Sequence, residues 1–84
     1  MTFVWVERHI PGHAYYVALQ GNVWSPTLGK EVSDFPWGFI SKATRADKFT
    51  AWNSVALCVV GKFYHKTKAK KALIASVIEH ALAK

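Results

Sequence analysis

Two histidines near the N-terminus come closest to the spacing of a metal site. His9 and His13 flank the Pro11-Gly12 pair, and Glu7 lies two positions before His9. Imidazole nitrogens and carboxylate oxygens are common ligands of zinc and related metals. The sequence offers no further ligand at a convincing spacing. We therefore predict no metal site and no cofactor, and we interpret both histidines as surface residues beside a tight turn.

The sequence also contains little that indicates a catalytic site. Cys58 would need a histidine as its base, yet nothing in the sequence places His65 or His80 beside it. The apolar run 55–60 around Cys58 is typical of an inert, buried thiol. The chain has five carboxylates, none paired in a defined element, and it lacks a glycine-rich phosphate loop. We expect a protein that is not an enzyme.

The basic residues are distributed unevenly along the chain. Residues 1–40 contain two Lys/Arg and three Asp/Glu, a net charge of −1, whereas residues 41–84 contain nine and two, a net charge of +7. This asymmetry indicates an anionic partner, and nucleic acid is the commonest one. The alternative is that the lysines simply keep the surface soluble.

Many of these charges fall at the starts of two predicted helices. Cations are unfavourable there, because the N-terminal end of a helix dipole is positive. A bound phosphate would compensate, since the unpaired N–H groups of a helix start also attract anions. The predicted nucleic-acid-binding residues are Lys42, Thr44, Arg45, Lys48, Lys62, Lys66, Thr67, Lys68, Lys70 and Lys71.

About a dozen residues resemble the basic second helix of double-stranded-RNA-binding domains. They are the run 66–70, followed by the apolar pairs 73–74 and 77–78. The resemblance implies lysines that contact phosphates across a groove. The sequence departs from the family pattern at Thr67, where a second lysine is usual, and at Leu73, Ile74 and Val77, where the family has small alanines. It also begins with strands instead of the family's leading helix. The likeness therefore concerns the mode of phosphate contact alone.

The first half of the chain has the pattern of strands. Residues 2–8 and 14–20 are rich in aromatic and β-branched side chains and predict a hairpin. Gly21-Asn22 predicts a turn before a brief strand at 23–24, and residues 25–34 predict a loop. Residues 35–40 predict a short edge strand, because Pro36 cannot donate a hydrogen bond to a neighbour.

The second half predicts two helices. Ser41 or Thr44 is a suitable cap for the first, with Asp47 positioned as in a capping box. Its apolar face would be Phe49, Trp52, Ala56 and Val59, which allows a helix as far as Gly61. The alternative, which we favour, is that residues 56–64 form a strand, since β-branched and aromatic residues are frequent there. The last helix, 67–83, has a broad apolar stripe formed by Leu73, Ile74, Val77, Ile78, Ala81 and Leu82.

These elements predict a single small α+β domain over residues 1–84. Antiparallel N-terminal strands would be packed by two helices, the last of them the amphipathic C-terminal helix. The N-terminus lacks a signal-peptide pattern, and no apolar run approaches the roughly 18 residues of a membrane span. With a single cysteine, this predicts a cytoplasmic protein without a membrane partner.

Two tryptophans beside the predicted loop suggest a second kind of function. Trp24 and Trp37 are the best candidates for exposed partner-binding residues, either as base-stacking platforms or as anchors on a protein. The leading hypothesis is a small accessory or regulatory protein that binds DNA or RNA. The alternative is an inhibitor or adaptor, of the compact kind found in phages and mobile elements, that binds an acidic or hydrophobic protein surface. An open sheet edge would allow a homodimer.

Overall fold

A five-stranded antiparallel sheet followed by a helix forms the described part of the protein. The structure is a computed structural model that describes residues 2–82, and the side chains as far as residue 80. The elements are β1 (Thr2–Glu7), β2 (Tyr15–Ser25), β3 (Lys30–Lys42), β4 (Phe49–Asn53), β5 (Cys58–Phe63) and α1 (Lys66–Leu82). Each strand pairs with the next, so β3 lies at the centre of the sheet.

The predicted first helix is wrong, because its residues form a turn and the strand β4. The capping-box hydrogen bond does form: the Thr44 N–H donates to the Asp47 carboxylate over 3.1 Å. The Asp47 N–H also bonds the Thr44 carbonyl, at 3.1 Å, and the chain then becomes extended. Within β4, Ala51 is buried under α1, whereas the next side chain, Trp52, points to the opposite face. This two-residue alternation suits a strand, and pairing on both sides outweighs the local helix signal.

The predicted turn at Gly21-Asn22 is also wrong. Strand β2 runs through these residues, and the reversal comes at Ser25–Gly29, where the Gly29 N–H donates to the Ser25 carbonyl over 2.8 Å. Much of the predicted loop 25–34 therefore belongs to β3. Gly21 is needed for close packing within the sheet, since a Cβ there would collide with the Thr2 carbonyl and come within 2.9 Å of the Trp37 indole nitrogen.

Residues 35–40 form part of the central strand, so the edge strand predicted from Pro36 is wrong as well. Strand β4 pairs with residues 38–41 of β3 and ends before Pro36 is reached. The register with β2 also shifts here, which leaves Trp37 as an extra residue in β3. At a bulge with one neighbouring strand, a proline costs the sheet little, and this explains how the central strand accommodates it.

The core lies between α1 and the face of the sheet formed by β3, β4 and β5. Val17, Leu19 and Ile40 from the sheet are fully buried with Leu73 and Val77 from the helix. Gly38 lets the helix approach, because a Cβ there would lie 3.1 Å from a Leu73 methyl carbon. The opposite face of the sheet has no helix against it in the described part of the chain.

Three predictions about the elements are confirmed. Strands β1 and β2 form the N-terminal hairpin, β5 occupies most of the segment 56–64, and α1 matches the predicted last helix. In α1, Leu73 and Val77 lie in the core, as the apolar stripe predicts. The side chains of Ala81 and Leu82 from this stripe, and all of Ala83, lie outside the described residues. Within residues 2–82, no helix is long and apolar enough to cross a membrane.

Candidate nucleic-acid interface

Three chain segments meet at one end of the sheet. In an antiparallel meander, alternate connections lie at the same end, so the β1–β2 loop adjoins the β3–β4 turn and the start of α1. The Ala14 N–H fixes the first two together by donating to the Lys42 carbonyl over 2.8 Å. We call this region the basic end and define it by five cations: Lys42, Arg45, Lys48, Lys62 and Lys66.

A groove at the basic end combines both sets of predicted contacts. It is lined by Lys42 and Arg45 from the β3–β4 segment, by Lys66 from the start of α1, and by the aromatic rings of Tyr15 and Tyr64. The sequence predicted two separate phosphate sites at two helix starts. The structure has one helix start, and it places the two groups of cations around one groove. An extended polyanion could therefore contact both.

Several of these lysines also lie over aromatic rings. The Nζ atoms of Lys42, Lys48 and Lys66 are 4.5, 4.6 and 5.7 Å from the ring centroids of Phe49, Tyr64 and Tyr15 respectively. Further along the helix, the Lys70 Nζ lies 5.1 Å from the Trp5 ring. These cation–π contacts offset part of the unfavourable energy of placing lysines near a helix start. They also hold the charged groups in place.

Among the predicted contacts, Arg45 lines the groove, and Thr44, Lys62, Thr67, Lys68 and Lys71 lie on the surface outside it. All six are exposed. The Thr44 N–H is already bonded to Asp47, so it is not free to bind a phosphate as a helix N-terminus would. Lys68 and Lys71 extend the positive surface along α1 away from the groove.

Tyr15 has an unusual environment within the groove wall. Its hydroxyl is buried and has no hydrogen-bond partner among the described residues. Burial raises the pKa of Tyr15 above its ordinary value of 10.0, and the negative charge of Glu7 raises it further. The hydroxyl is therefore neutral at physiological pH and adds no negative charge to the groove.

A second, polar pocket opens on the face of the sheet that α1 does not cover. Ser41, Thr50 and Lys62 stand opposite one another on β3, β4 and β5. His13, Asp47 and Lys48 complete the lining of the pocket. Hydroxyl, imidazole and ammonium groups are all suitable donors to phosphate oxygens. The polar pocket and the basic groove thus share the same end of the sheet.

The same open face carries a row of aromatic rings. Tyr16 and Phe39 are stacked with centroids 5.3 Å apart and planes at 23°, and Phe39 and Trp52 follow at 6.3 Å and 24°. We call Tyr16, Phe39 and Trp52 the aromatic stripe. All three are partly exposed. Sequence reasoning placed Trp52 on the apolar face of a predicted helix and missed Phe39. The two-residue alternation of side chains in 39–41 and 51–53 could have indicated strands that share one face of a sheet. It was missed because 49–59 was interpreted as the face of a helix.

No family model, no curated protein and no solved structure matches this chain.

The two tryptophans predicted as partner-binding residues have different environments. Trp24 is 61% exposed on the β2–β3 hairpin, at the opposite end from the basic end, together with Leu28 at 61%. Trp37 is 4% exposed and packs against Phe3 and Phe35, so its predicted exposure is wrong. The bulge in β3 explains the difference, because it turns Trp37 toward the core side of the sheet.

The residues considered for metal binding and catalysis are dispersed. Within residues 2–82, no three His, Cys, Asp or Glu side chains are close enough to hold a metal ion. Cys58 is exposed, and the prediction that it is buried is wrong. It begins β5 opposite Asn53, whereas His65 lies beyond the other end of β5, at the basic end. The His80 ring lies near Asn53, with its Nδ1 atom 3.5 Å from the Asn53 amide nitrogen and 2.8 Å from the Ser76 carbonyl.

Proposed function

We propose that this chain is a small, non-enzymatic accessory or regulatory protein that binds nucleic acid through its basic end. The observation that carries the proposal is the groove lined by Lys42, Arg45 and Lys66, in which cations from two distant parts of the sequence converge. Such a groove suits the repeating negative charge of a phosphate backbone. An exposed, unpaired Cys58 suits a reducing compartment, and we place the protein in the cytoplasm.

The distribution of acidic residues supports the same proposal. Glu31 and Asp34 lie on β3 near the β2–β3 hairpin, away from the basic end. Among the described residues, the basic end has two carboxylates against its five cations: Asp47 accepts a hydrogen bond from the Thr44 N–H, and Glu7 ends β1 near Tyr15. A polyanion approaching this end therefore meets mainly positive potential, which increases its rate of association at low salt.

The test is a basic-end variant, Arg45→Ala/Lys62→Ala/Lys66→Ala, measured by fluorescence anisotropy with labelled DNA and RNA. The three residues are exposed, so the variant should fold. Affinity should fall, and the slope of log K against log salt should decrease by about 0.7–0.9 for each phosphate that is no longer neutralised. Lys30→Ala is the matched control, because it removes one lysine from the opposite end and should leave binding unchanged. Equal binding by the wild type and the basic-end variant at low salt would contradict the proposal.

A protein-binding inhibitor or adaptor, as in some phages, is the second candidate, and one observation favours it. Trp24 and Leu28 are both 61% exposed on one hairpin, which is an unusual position for two large apolar side chains. On this hypothesis, Trp24→Ala abolishes the capture of a specific protein partner and leaves the fold intact. Binding of nucleic acid by the same variant, at wild-type affinity, would separate the two surfaces.

A further inference from the structure

The open face of the sheet has the composition of a surface that contacts bases. Side chains on this face include the row Val6, Ala18, Phe39, Trp52 and Val59, one from each strand in register order. Val59 is 51% exposed, and Val4, on the same face of β1, is 56% exposed. Because α1 packs against the other face, no helix in the described part of the chain covers this apolar row. Ala18 is buried within the row, and its other four side chains are at least partly exposed.

A polar row runs beside the apolar row, one step nearer the basic end. Tyr16 begins it, and it continues through Ser41 and Thr50 to Lys62, again one residue per strand. His13, Lys48 and the carboxylate of Asp47 border it. The face therefore places aromatic rings directly beside hydroxyl groups and ammonium groups. This is the arrangement that nucleic acid requires, because its bases are flat and apolar on their faces while its phosphates are charged.

We infer that the aromatic stripe binds the bases of single-stranded nucleic acid, whose phosphates lie along the polar row. Phe39 already has Tyr16 and Trp52 stacked against it, so the ring that stacks on a base is Trp52, at the β5 side of the stripe. This inference rests on the proposed function and specifies its ligand. A duplex does not fit, since its bases are already stacked inside the helix and present only their edges. A second copy of this chain fits less well, because it would bring its own Lys48 and Lys62 to a face that already carries these charges.

The experiment compares two variants, in each of which one tryptophan is replaced by valine. Trp52→Val removes a ring from the aromatic stripe, and Trp24→Val removes an exposed ring from the distant hairpin. Valine suits both positions, because they lie in strands. Each full-length variant is titrated against a labelled oligothymidylate of about 12 nucleotides and against a DNA hairpin duplex of equal charge. Circular dichroism verifies folding.

The expected result is a selective loss. Trp52→Val should bind the oligothymidylate at least about five-fold more weakly, since the stacking of one base accounts for that much or more. Its affinity for the duplex should stay within about two-fold of wild type, because phosphate contacts at the basic end remain. Trp24→Val should leave both affinities unchanged. The wild type should also show quenched tryptophan fluorescence on adding the unlabelled oligomer, which tests stacking without any substitution.

Other outcomes would overturn the inference. Unchanged affinity of Trp52→Val for the single strand, or an equal loss for both ligands, would exclude base stacking while leaving phosphate binding at the basic end intact. If Trp52→Val does not fold, Trp52→Leu takes its place under the same criteria. A wild-type dimer that Phe39→Val dissociates, without any effect on the single strand, would assign the face to self-association. If neither ligand binds the wild type, the proposed function itself fails.

Discussion

Asn53 is the one polar residue that is fully buried in the described part of the chain, and both polar atoms of its side-chain amide form hydrogen bonds. Its carbonyl oxygen accepts the N–H groups of Val55 and Ala56, at 2.9 and 3.0 Å, which shapes the β4–β5 turn. Its amide nitrogen donates to the Ser76 hydroxyl over 2.9 Å. One side chain thus connects the end of a strand, a turn and the helix.

We predict that Asn53→Ala lowers the free energy of unfolding by about 2–4 kcal/mol, because it leaves several buried polar groups without partners. The change is measured by urea denaturation, with tryptophan fluorescence as the signal. Ser76→Ala is the control, since it removes the helix contact and leaves the turn intact, and its cost should be about 1 kcal/mol. A cost for Asn53→Ala no larger than that for Ser76→Ala would contradict this account.

At the scale of the elements, one lysine of α1 contributes to the packing of the helix on the sheet. Lys70 is half-buried, and its ammonium group lies 5.1 Å from the Trp5 ring of the edge strand β1. The backbone of α1 does not contact strands β1 and β2 closely. The long Lys70 side chain therefore extends the helix cover toward β1, with its aliphatic stem on the apolar surface. Lys71, the next residue, is exposed.

We predict that Lys70→Ala destabilises the protein by about 0.5–1 kcal/mol, through the loss of the cation–π contact and of the packing of its stem. Lys71→Ala should change stability by less than about 0.5 kcal/mol, as is usual for a surface position. The two variants have the same charge, and alanine suits a helix at both positions, so the difference isolates the contact with Trp5. Thermal and urea unfolding measure it, and equal effects would show that Lys70 has no structural role.

Across the molecule, the charges are polarised along a long axis. The protein measures 45 × 25 × 19 Å, and the basic end is separated from the hairpin that bears Glu31. Five cations at one end repel one another, and this repulsion opposes folding when it is not screened. At about 0.01 M salt the screening length is roughly 30 Å, and it falls to about 10 Å at 0.1 M.

We therefore expect the melting temperature to rise with salt, by about 2–5 °C between 0.01 and 0.2 M NaCl. Differential scanning fluorimetry measures the rise. The basic-end variant Arg45→Ala/Lys62→Ala/Lys66→Ala should show a smaller rise, since less repulsion remains to be screened. A melting temperature that falls with salt in the wild type would show that attractive pairs outweigh this repulsion.

Local patterns predicted some elements well and others poorly. The hairpin of β1 and β2 and the helix α1 followed from short-range alternation and from a strong helical stripe. Residues 44–59 have the local pattern of a helix, because Thr44 and Asp47 do form the capping-box hydrogen bond, yet this bond closes a turn. Phe49 and Trp52 have helical spacing in the sequence, yet they lie on opposite faces of the sheet. Pairing with two neighbouring strands, which no local window contains, favoured the strand.

The amino-acid sequence alone was enough to locate the positive charge in residues 41–84 and to place lysines at the start of the last helix, because composition and helical periodicity are local properties. The tertiary structure was needed to join Lys42 and Arg45 to Lys66 around one groove, since these residues are distant in the chain. It also buried Trp37 and aligned Tyr16, Phe39 and Trp52 on the open face. Strand register and a bulge determine these positions, and both depend on contacts between separate strands.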